Sequence, residues 1–485
     1  MITPSCNEIE VLAKEYDVIP ICREIYADII TPITLLRKIS QISERYYLLE
    51  SIEGGEKWGR YSFLGFNPIV HVTCKNKEVV IDHGSSRQVI PCEKPFEVLR
   101  ELLNSYKAPK LADLPPFTGG LVGYFSYEMI GYAEPVLKLS ESEFNDIDLM
   151  LFDKVIAYDH LKQKISIVVN MKTDKVLENY GKAVSDIENL TRFITEPVPF
   201  TTAPMLSRPD FTCNMTKEEF CARVEKTKEY IVGGDIFQAV ISRRFETEYK
   251  DSLLNAYRVL RTTNPSPYMV FMQNDEVQLI SASPETLVRL KDGKLSTFPI
   301  AGSRPRGKDK EEDEALEKEL LLDEKELAEH NMLVDLARND IGKISEYGGV
   351  RVTDYMRIQK YSRIMHITSE VEGRIKPGKD ALDAIDAILP AGTLSGAPKI
   401  RACEIIEEQE KAPRGIYGGA IGYIDFTGNM DTCIAIRMAV KKNNRVYVQA
   451  GGGIVADSVP EREYEESENK AKAVMEAILR AGEID

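Results

Sequence analysis

The spacing of apolar residues divides the chain into strands and helices. Apolar and polar positions alternate from 68 to 91, a pattern typical of antiparallel strands that bury one face. Alternation or short apolar runs predict further strands at 46–51, 117–127, 146–156, 164–170, 350–356, 364–373, 416–426, 430–440 and 445–450. Helical spacing predicts helices at about 94–107, 174–194, 216–233, 251–263, 323–340, 379–388 and 400–410. The sequence therefore predicts antiparallel hairpins with helices between them.

A proline-rich stretch separates the two halves of the chain. At 485 residues the chain exceeds the usual size of a single hydrophobic core, so we expect two domains or one large two-lobed fold. Residues 196–211 contain four prolines and show no hydrophobic period, which is typical of a linker. We therefore predict a first lobe at 1–195 and a second lobe at 212–485.

A glycine run and an acidic helix follow one another near the end of the chain. Gly451, Gly452 and Gly453 lack a Cβ, so their backbone N–H groups could approach an anionic ligand closely. The helix that is predicted to start near Pro460 carries Glu463 and Glu466, which are three residues apart and share one face.

A second predicted helix, at 323–340, repeats this acidic pair with Glu326 and Glu329. If the two pairs face each other, four negative charges share one pocket, which is unfavourable unless protons or a cation compensate them. Mg²⁺ would compensate them and would keep coordination positions open for water and a substrate carboxylate. The alternative is two solvated helix faces, which is what glutamates at this spacing usually form.

Composition limits the partners and the compartment. The formal net charge of −15 would repel phosphate backbones, so nucleic acid is not expected as a partner. No apolar run approaches the roughly 20 residues that span a bilayer, and the start of the chain lacks a basic region followed by an apolar one. Eight cysteines without a Cys-x-x-Cys pair suit reduced thiols. We expect a cytoplasmic protein with no membrane partner.

Several longer motifs occur in order through the second half. They are Pro299–Gly307, Asp335–Asp340, Met365–Ile367, Pro390-Ala-Gly-Thr-Leu-Ser-Gly-Ala-Pro-Lys399 and Glu463–Lys470. These motifs resemble the chorismate-utilising enzymes, and most closely component I of anthranilate synthase, over the chain from about residue 30 to its end. The resemblance implies a two-lobed α+β fold built on large antiparallel β-sheets flanked by helices, with the substrate in the cleft. It also favours the metal interpretation of the four glutamates.

The resemblance implies a reaction as well. In this family ammonia adds to a ring carbon of chorismate, the ring hydroxyl leaves, and the enolpyruvyl side chain is eliminated as pyruvate to leave anthranilate. Glu285 matches the general acid that protonates the leaving hydroxyl, and burial would raise its pKa for that task. His366 matches the family's catalytic histidine, a proton carrier for the elimination. A lone histidine in an apolar strand is otherwise usually a core residue.

The remaining ligand groups are implied by the same resemblance. Glu329 and Glu466 match direct Mg²⁺ ligands, and Glu326 and Glu463 match an outer pair that acts through water. The groups that match the binding site for the two substrate carboxylates are Thr393, Tyr417, Arg437 and the amides of Gly451, Gly452 and Gly453. An arginine suits a bidentate grip, whereas a strand tyrosine is usually a packing residue.

Two positions separate this chain from other subfamilies. Family members that add water carry a lysine where this chain has Gln238, so Gln238 is a candidate catalytic position without the base that water addition needs. Aminodeoxychorismate synthases typically carry a lysine nucleophile where this chain has Ala301, so ammonia is the expected direct nucleophile. Some of those synthases lack the lysine, so component I of aminodeoxychorismate synthase stays open as an alternative. A non-catalytic tryptophan-sensing subunit is an alternative of another class.

Two further stretches resemble the tryptophan-binding elements of feedback-inhibited anthranilate synthases. They are Leu48–Ser51 and Asn264–Met269, and the expected L-tryptophan contacts are Ser51, Pro267, Tyr268 and Met269. Retention of these residues as packing is the alternative. No cysteine lies in a Gly-x-Cys-x-Gly elbow, so ammonia is expected from a partner glutamine amidotransferase subunit (component II) or from solution.

Overall fold

Two large antiparallel sheets, packed face to face, form the centre of the fold. A computed structural model describes residues 2–51, 59–197, 206–361 and 364–484 of the chain. Within those ranges thirteen strands form the first sheet and twelve form the second. The strands are β1 Ile2–Thr3, β2 Val18–Tyr26, β3 Tyr46–Glu50, β4 Tyr61–Phe66, β5 Val70–Lys75, β6 Glu78–Asp82, β7 Arg87–Pro91, β8 Gly120–Phe125, β9 Ile147–Phe152, β10 Lys154–Asp159, β11 Lys164–Lys172, β12 Thr212–Cys213, β13 Gln238–Glu248, β14 Tyr268–Gln273, β15 Val277–Ser283, β16 Thr286–Lys291, β17 Lys294–Thr297, β18 Ile300–Pro305, β19 Arg351–Lys360, β20 Ile364–Arg374, β21 Gly396–Ala397, β22 Ala420–Asp425, β23 Met430–Ile434, β24 Met438–Lys442 and β25 Arg445–Ile454.

Helices cover the outer faces of both sheets. The α-helices are α1 Cys6–Leu12, α2 Pro32–Ile39, α3 Pro95–Asn104, α4 Ile130–Ala133, α5 Val176–Thr195, α6 Lys217–Val232, α7 Leu254–Thr263, α8 Lys310–Leu320, α9 Glu324–Ile344, α10 Ala381–Ile388, α11 Lys399–Glu410 and α12 Pro460–Leu479. The mixture of helices and antiparallel sheets confirms the predicted α+β class. None of the helices in the described ranges has the length and apolar character of a membrane span.

Strands from both halves of the sequence lie side by side in each sheet. The order in the first sheet is β1-β2-β11-β10-β4-β3-β14-β15-β24-β25-β13-β12, with β21 paired to β13. The order in the second sheet is β18-β20-β17-β16-β23-β22-β8-β9-β5-β6-β7, with β19 paired to β20. The halves therefore join through the pairs β3–β14 and β8–β22. The division at 196–211 stays a prediction, and residues 198–205 lie outside the described ranges.

The main hydrophobic core lies in three layers. Between the sheets, large side chains such as Tyr47, Phe152 and Leu279 are fully buried, and the rings of Tyr47 and Phe152 meet edge to face at 4.8 Å. The outer face of the first sheet packs against α2, α5, α7 and α12, and that of the second packs against α3, α9 and α10. Helix α9 thus packs on the second sheet and α12 on the first, and Glu329 of α9 lies near Glu466 of α12.

Local signals predicted several elements correctly and failed where the chain changes sheets. Thr216 caps α6 as expected, because it accepts from the Glu219 amide at 3.2 Å and donates its own amide to the Glu219 carboxylate at 2.8 Å. The single strand predicted at 146–156 is wrong, since β9 and β10 belong to different sheets. The single strand predicted at 430–440 is wrong for the same reason, since it divides into β23 and β24.

Candidate active site

Two neighbouring crossings between the sheets carry Glu285 and Arg437. Glu285 lies between β15 of the first sheet and β16 of the second, and Arg437 lies between β23 and β24. The crossings are joined by two backbone hydrogen bonds of 3.0 Å each, from the Ile434 amide to the Glu285 carbonyl and from the Ala282 amide to the Arg437 carbonyl. Arg437 has a φ of +49°, a left-handed conformation that costs a non-glycine residue about 1–3 kcal/mol. The surrounding backbone therefore holds both side chains in place.

The Glu285 carboxyl is a weakened acid. Burial raises its pKa from 4.5 to about 8, and the nearby Thr393 hydroxyl and Lys470 ammonium lower it by less. The hydroxyl of Thr393 lies near this carboxyl without a hydrogen bond of normal geometry to any described residue. At neutral pH Glu285 therefore keeps its proton and can donate it.

The glycine run ends β25 and packs directly on the start of β13. A Cβ on Gly453 would lie 2.4 Å from Nε2 of Gln238, and a Cβ on Gly452 would lie 2.9 Å from Oε2 of Glu463. Side chains at these positions would therefore displace Gln238 and Glu463. Gln238 is only 5% exposed, and its Oε1 has no hydrogen-bond partner among the described residues. This buried acceptor is open to a ligand that can donate an N–H.

Each acidic helix begins at a defined point, and this fixes the direction of its glutamates. The carboxylate of Asp323 caps α9 by accepting from the amides of Lys325 (3.1 Å) and Glu326 (3.3 Å). Pro460 occupies the first turn of α12, as predicted, but no side chain caps that helix. Ser458, two residues before Pro460, donates to the Glu463 carboxylate at 2.8 Å.

The two glutamate pairs face each other across the cleft. Burial and the charges of Glu326 and Glu466 raise the pKa of Glu329, although its side chain remains open to solvent in the cleft. Burial and the charge of Glu466 also raise the pKa of Glu463, and the Ser458 hydroxyl opposes this. No three His, Cys, Asp or Glu side chains in the described ranges lie close enough together to hold a metal ion as they stand. Glu329 lies near both Glu326 and Glu466, and carboxylate oxygens are the donors that a hard divalent cation prefers.

Arg437 and Tyr417 form a cationic end of the same cleft. The Arg437 guanidinium makes no ion pair within the described ranges, and its one hydrogen bond is a long one of 3.5 Å to the Lys470 carbonyl. Burial lowers its pKa more than Tyr417 and Glu466 raise it. Tyr417 is 6% exposed and lies near both Arg437 and the Gly451 amide, and burial raises its pKa to about 12. A half-buried guanidinium with no anionic partner among the described residues is unfavourable until an anion joins it, so this end of the cleft suits a carboxylate.

His366 lies on the open face of β20, which argues against a core role. The strand alternates between buried and half-buried positions, and His366 occupies a half-buried one. Its Nδ1 is 3.1 Å from the carbonyl of Gly302, which requires the proton on Nδ1. Gly302 forms a β-bulge with a φ of +63°, and a Cβ there would lie 3.1 Å from Oε2 of Glu326. His366 thus contacts the bulge that packs against Glu326 of α9.

Lys470 is a site residue that the sequence interpretation missed. Its Nζ lies 2.7 Å from Oε1 of Glu466 and 3.1 Å from the carbonyl of Gly451, and its charge lowers the pKa of Glu285. Lys470 therefore links Glu466 of α12, the glycine run and Glu285. The Glu-to-Lys spacing of four residues on α12 is the signal that could have identified it.

The four predicted tryptophan contacts line a second cavity, of about 600 Å³. Ser51, Pro267, Tyr268 and Met269 all belong to its wall, where β3 pairs with β14. Glu50, beside Ser51, is buried and accepts from the Tyr257 hydroxyl at 2.8 Å and from Nε of Arg261 at 2.7 Å.

The wall of this cavity reaches the residue that follows Glu285. The Tyr268 hydroxyl donates to Asp431 at 2.8 Å and is 2.9 Å from the hydroxyl of Thr286. Arg289 holds the other oxygen of Asp431 at 2.7 Å. The hydrogen bond between the hydroxyls of Tyr268 and Thr286 therefore joins the cavity wall to the crossing that carries Glu285.

Comparison with known proteins identifies the class to which this cleft belongs. The family model for chorismate binding enzymes matches residues 44–476. The chain is 48% identical to anthranilate synthase component 1 of Acetivibrio thermocellus, over the whole of both chains. It is 46% identical to anthranilate synthase component 1 of Aquifex aeolicus, covering 99% of this chain and 98% of the relative.

Solved structures agree. Anthranilate synthase component I from Streptococcus pneumoniae matches with a TM-score of 0.78 at 38% identity, covering 93% of this chain and 98% of that chain. The menaquinone-specific isochorismate synthase of Escherichia coli, at 18% identity and a TM-score of 0.70, shares the fold. The chain belongs to the chorismate-binding enzyme family and, within it, to the anthranilate synthase component 1 enzymes.

Proposed function

We propose that this chain is the Mg²⁺-dependent large subunit of an anthranilate synthase, which converts chorismate and ammonia to anthranilate, pyruvate and water in tryptophan biosynthesis. One observation carries the proposal: Glu285, whose pKa is raised to about 8, shares a cleft with the glutamates of α9 and α12 and with a guanidinium that makes no ion pair among the described residues. A dicarboxylate that must lose a poor leaving group fits such a cleft. The identity of the substrate is inferred from the relatives named anthranilate synthase component 1.

In the first step, the nitrogen of ammonia forms a bond to the ring carbon that lies between the carbon bearing the ring carboxylate and the carbon bearing the enolpyruvyl ether. The ring electrons shift, the carbon–oxygen bond breaks, and the proton of Glu285 leaves with the hydroxyl as water. Gln238 supports this step because its open Oε1 can accept an N–H of ammonia and orient the lone pair toward the ring. Neither Gln238 nor Ala301 offers the amine base or nucleophile of the other subfamilies.

In the second step, the carbon that carries the new amine loses a proton, and the enolpyruvyl group departs as pyruvate. His366 would carry this proton, because the Gly302 carbonyl, 3.1 Å from its Nδ1, would keep a proton on that nitrogen and leave Nε2 to accept one. Loss of the side chain makes the ring aromatic, which drives the reaction forward.

The carboxylates of chorismate divide between the two ends of the cleft. Arg437, Tyr417, Thr393 and the amides of Gly451 to Gly453 would hold one carboxylate through hydrogen bonds. At the other end Glu329 and Glu466 would hold Mg²⁺ directly, with Glu326 and Glu463 acting through water. When bound, the ion supplies positive charge to the ring carboxylate. Lys470 balances part of the negative charge near Glu466.

Product analysis tests the proposal. Purified chain with chorismate, ammonium salt and Mg²⁺ should form fluorescent anthranilate and an equal amount of pyruvate. An amino-chorismate product without pyruvate would support aminodeoxychorismate synthase instead. No turnover under any of these conditions would support a non-catalytic sensing subunit.

The second cavity is proposed as a feedback site for L-tryptophan. Its support is the clustering of Ser51, Pro267, Tyr268 and Met269 and the hydrogen bond between the hydroxyls of Tyr268 and Thr286, next to Glu285. A ligand that prefers one arrangement of this wall would shift Glu285, with coupling of roughly 1–3 kcal/mol. Ser51→Ala should raise the tryptophan concentration needed for half-inhibition by about tenfold, whereas the exposed control Ser105→Ala should not. Equal inhibition of both variants would count against the site.

Ammonia is proposed to come from glutamine through a partner amidotransferase subunit in the cytoplasm. The chain alone should use ammonium salt but not glutamine. Addition of a component II subunit should bring glutamine-dependent turnover, and glutamine use by the chain alone would refute the division of labour.

A further inference from the structure

Arg414 is a buried arginine that joins two segments of the cleft without lining it. Its side chain is 2% exposed. Nη1 donates to the carbonyl of Leu394 at 2.6 Å, and Nη2 donates to the carbonyl of Val240 at 2.7 Å. Leu394 directly follows Thr393, and Val240 lies two residues after Gln238. One guanidinium therefore bridges the turn that carries Thr393 and the strand that carries Gln238.

Glu410 fixes this guanidinium from the other side. The Glu410 carboxylate, 4% exposed, accepts from Nε of Arg414 at 2.9 Å and from Nη2 at 2.6 Å. The same carboxylate accepts from the amide and the hydroxyl of Ser242 at 2.7 and 2.8 Å. The backbone amide of Arg414 is held as well, by Glu128 at 2.8 Å. Main chain and side chain of Arg414 are thus both anchored.

Packing leaves the bridge little freedom. The Arg414 guanidinium lies over the ring of Tyr127 at 4.6 Å and near the ring of Tyr417 at 5.7 Å. A Cβ on Gly396 would lie 2.1 Å from the carbonyl of Gln238, so the turn and the strand are already in backbone contact.

A buried ion pair adds little net stability compared with apolar residues of similar size, because both charges lose their hydration. What the planar guanidinium provides is geometry, since its fork directs several donors at fixed angles. Two of its donors reach main-chain carbonyls of different segments, which a hydrophobic side chain could not hold in register.

We propose that Arg414, held by Glu410, is a positioning residue for the reaction: together with the backbone contact, it fixes the turn that carries Thr393 against the strand that carries Gln238. Arg414 needs no contact with the substrate for this role. The activity that tests this role rests on the proposed function, whereas the contacts of Arg414 do not.

Arg414→Lys tests the role, because it keeps the charge beside Glu410 and loses the fork. We expect kcat/KM for chorismate to fall about 10–100-fold, as small misplacements of reacting groups do. The alkaline limb of the pH profile should also move to higher pH, because a displaced Thr393 no longer lowers the pKa of Glu285. Lys38→Met is the matched control: Lys38 is a buried cation that donates to main-chain carbonyls at the end of α5, among them that of Glu196 at 2.6 Å. It should lower Tm without changing kcat/KM or the pH profile.

The opposite result is equally clear. If Arg414→Lys lowers Tm like Lys38→Met and leaves kcat/KM within about twofold and the pH limb in place, Arg414 only stabilises the fold. If Arg414→Lys does not fold, Ser242→Ala loosens the same anchor more mildly and should move the pH limb in the same direction. An unmoved limb in that variant overturns the proposal.

Failure of the proposed function would look different, because the unmodified chain itself would then form no anthranilate. In that case calorimetric titration with chorismate replaces the kinetic readout. Arg414→Lys should then weaken chorismate binding about tenfold relative to Lys38→Met, and equal affinity in the two variants would overturn the positioning role.

Discussion

Glu285→Gln should make the protein less active and more stable at the same time. Glutamine keeps the shape of the side chain but carries no proton to donate. Loss of a positioned general acid typically costs about 10²–10⁴-fold in rate, so kcat should fall by that amount. The gain in stability follows from the pKa of Glu285, which burial raises from 4.5 to about 8.

The size of the gain depends on pH. The unfolded chain ionises this carboxyl near 4.5, whereas the folded chain holds the proton until about 8. The contribution of Glu285 to folding stability is therefore complete below pH 4.5 and is lost as the pH rises to about 8. The full loss is at most about 5 kcal/mol, and about 3 kcal/mol of it has occurred at pH 7. Glutamine does not ionise, so the variant escapes this loss.

Denaturant unfolding at pH 5.5, 7 and 8.5 measures the effect. The stability difference between Glu285→Gln and the unmodified chain should grow over that series. Asp153→Asn is the matched control, since Asp153 is another carboxyl whose pKa burial raises, between β9 and β10 and away from the cleft. It should change stability with pH in the same direction and leave kcat unchanged. A Glu285→Gln variant with near-normal turnover, or with a pH-independent stability difference, would refute the assignment of Glu285 as a protonated acid.

Two further substitutions test the packing of the site and of the sheets. Gly453→Ala places a methyl group 2.4 Å from Nε2 of Gln238, so it should lower kcat/KM about 10–100-fold. In the double variant it should add little to the effect of Gln238→Ala, because both changes disturb the same side chain. Full additivity would contradict the contact. Burial disfavours the imidazolium of His71, but the hydrogen bond and charge of Asp148, 2.7 Å away, outweigh it and raise its pKa. This pair should therefore stabilise the fold fully below pH 6.5 and lose its effect as the pH rises through the folded pKa of His71, and His71→Gln should flatten the Tm profile over that range. An unchanged profile would exclude the pair.

The periodicity of the sequence predicted most elements, and the errors share one cause. A strand that packs against the other sheet on one face and against helices on the other is apolar on both faces. The apolar runs at 146–156 and 430–440 therefore show no interruption where the chain crosses from one sheet to the other. The second crossing depends on the left-handed backbone conformation of Arg437, which cannot be predicted from an arginine in the sequence. The crossing that orients a site residue is thus a tertiary property.

The site shows the same division between local and tertiary information. Helical spacing alone predicted that Glu326 and Glu329 share a face, because that relation is local. The acidity of Glu285 arises from burial by segments distant in sequence, and only a resemblance could suggest it in advance. Arg414 gave no signal at all, since its partners include main-chain carbonyls, which exist at every position of a chain.

Carboxylates from α9 and α12 are proposed to hold the Mg²⁺ on which chorismate turnover would depend. The most direct measurement is the rate of anthranilate formation by metal-free protein as Mg²⁺ is added. We expect no turnover without Mg²⁺ and saturable activation, with the activation midpoint raised at least about tenfold by Glu329→Gln and by Glu466→Gln. Glu465→Gln, an exposed neighbour on α12, should behave like the unmodified chain. A full rate without metal, or the same midpoint in all the variants, would contradict the account.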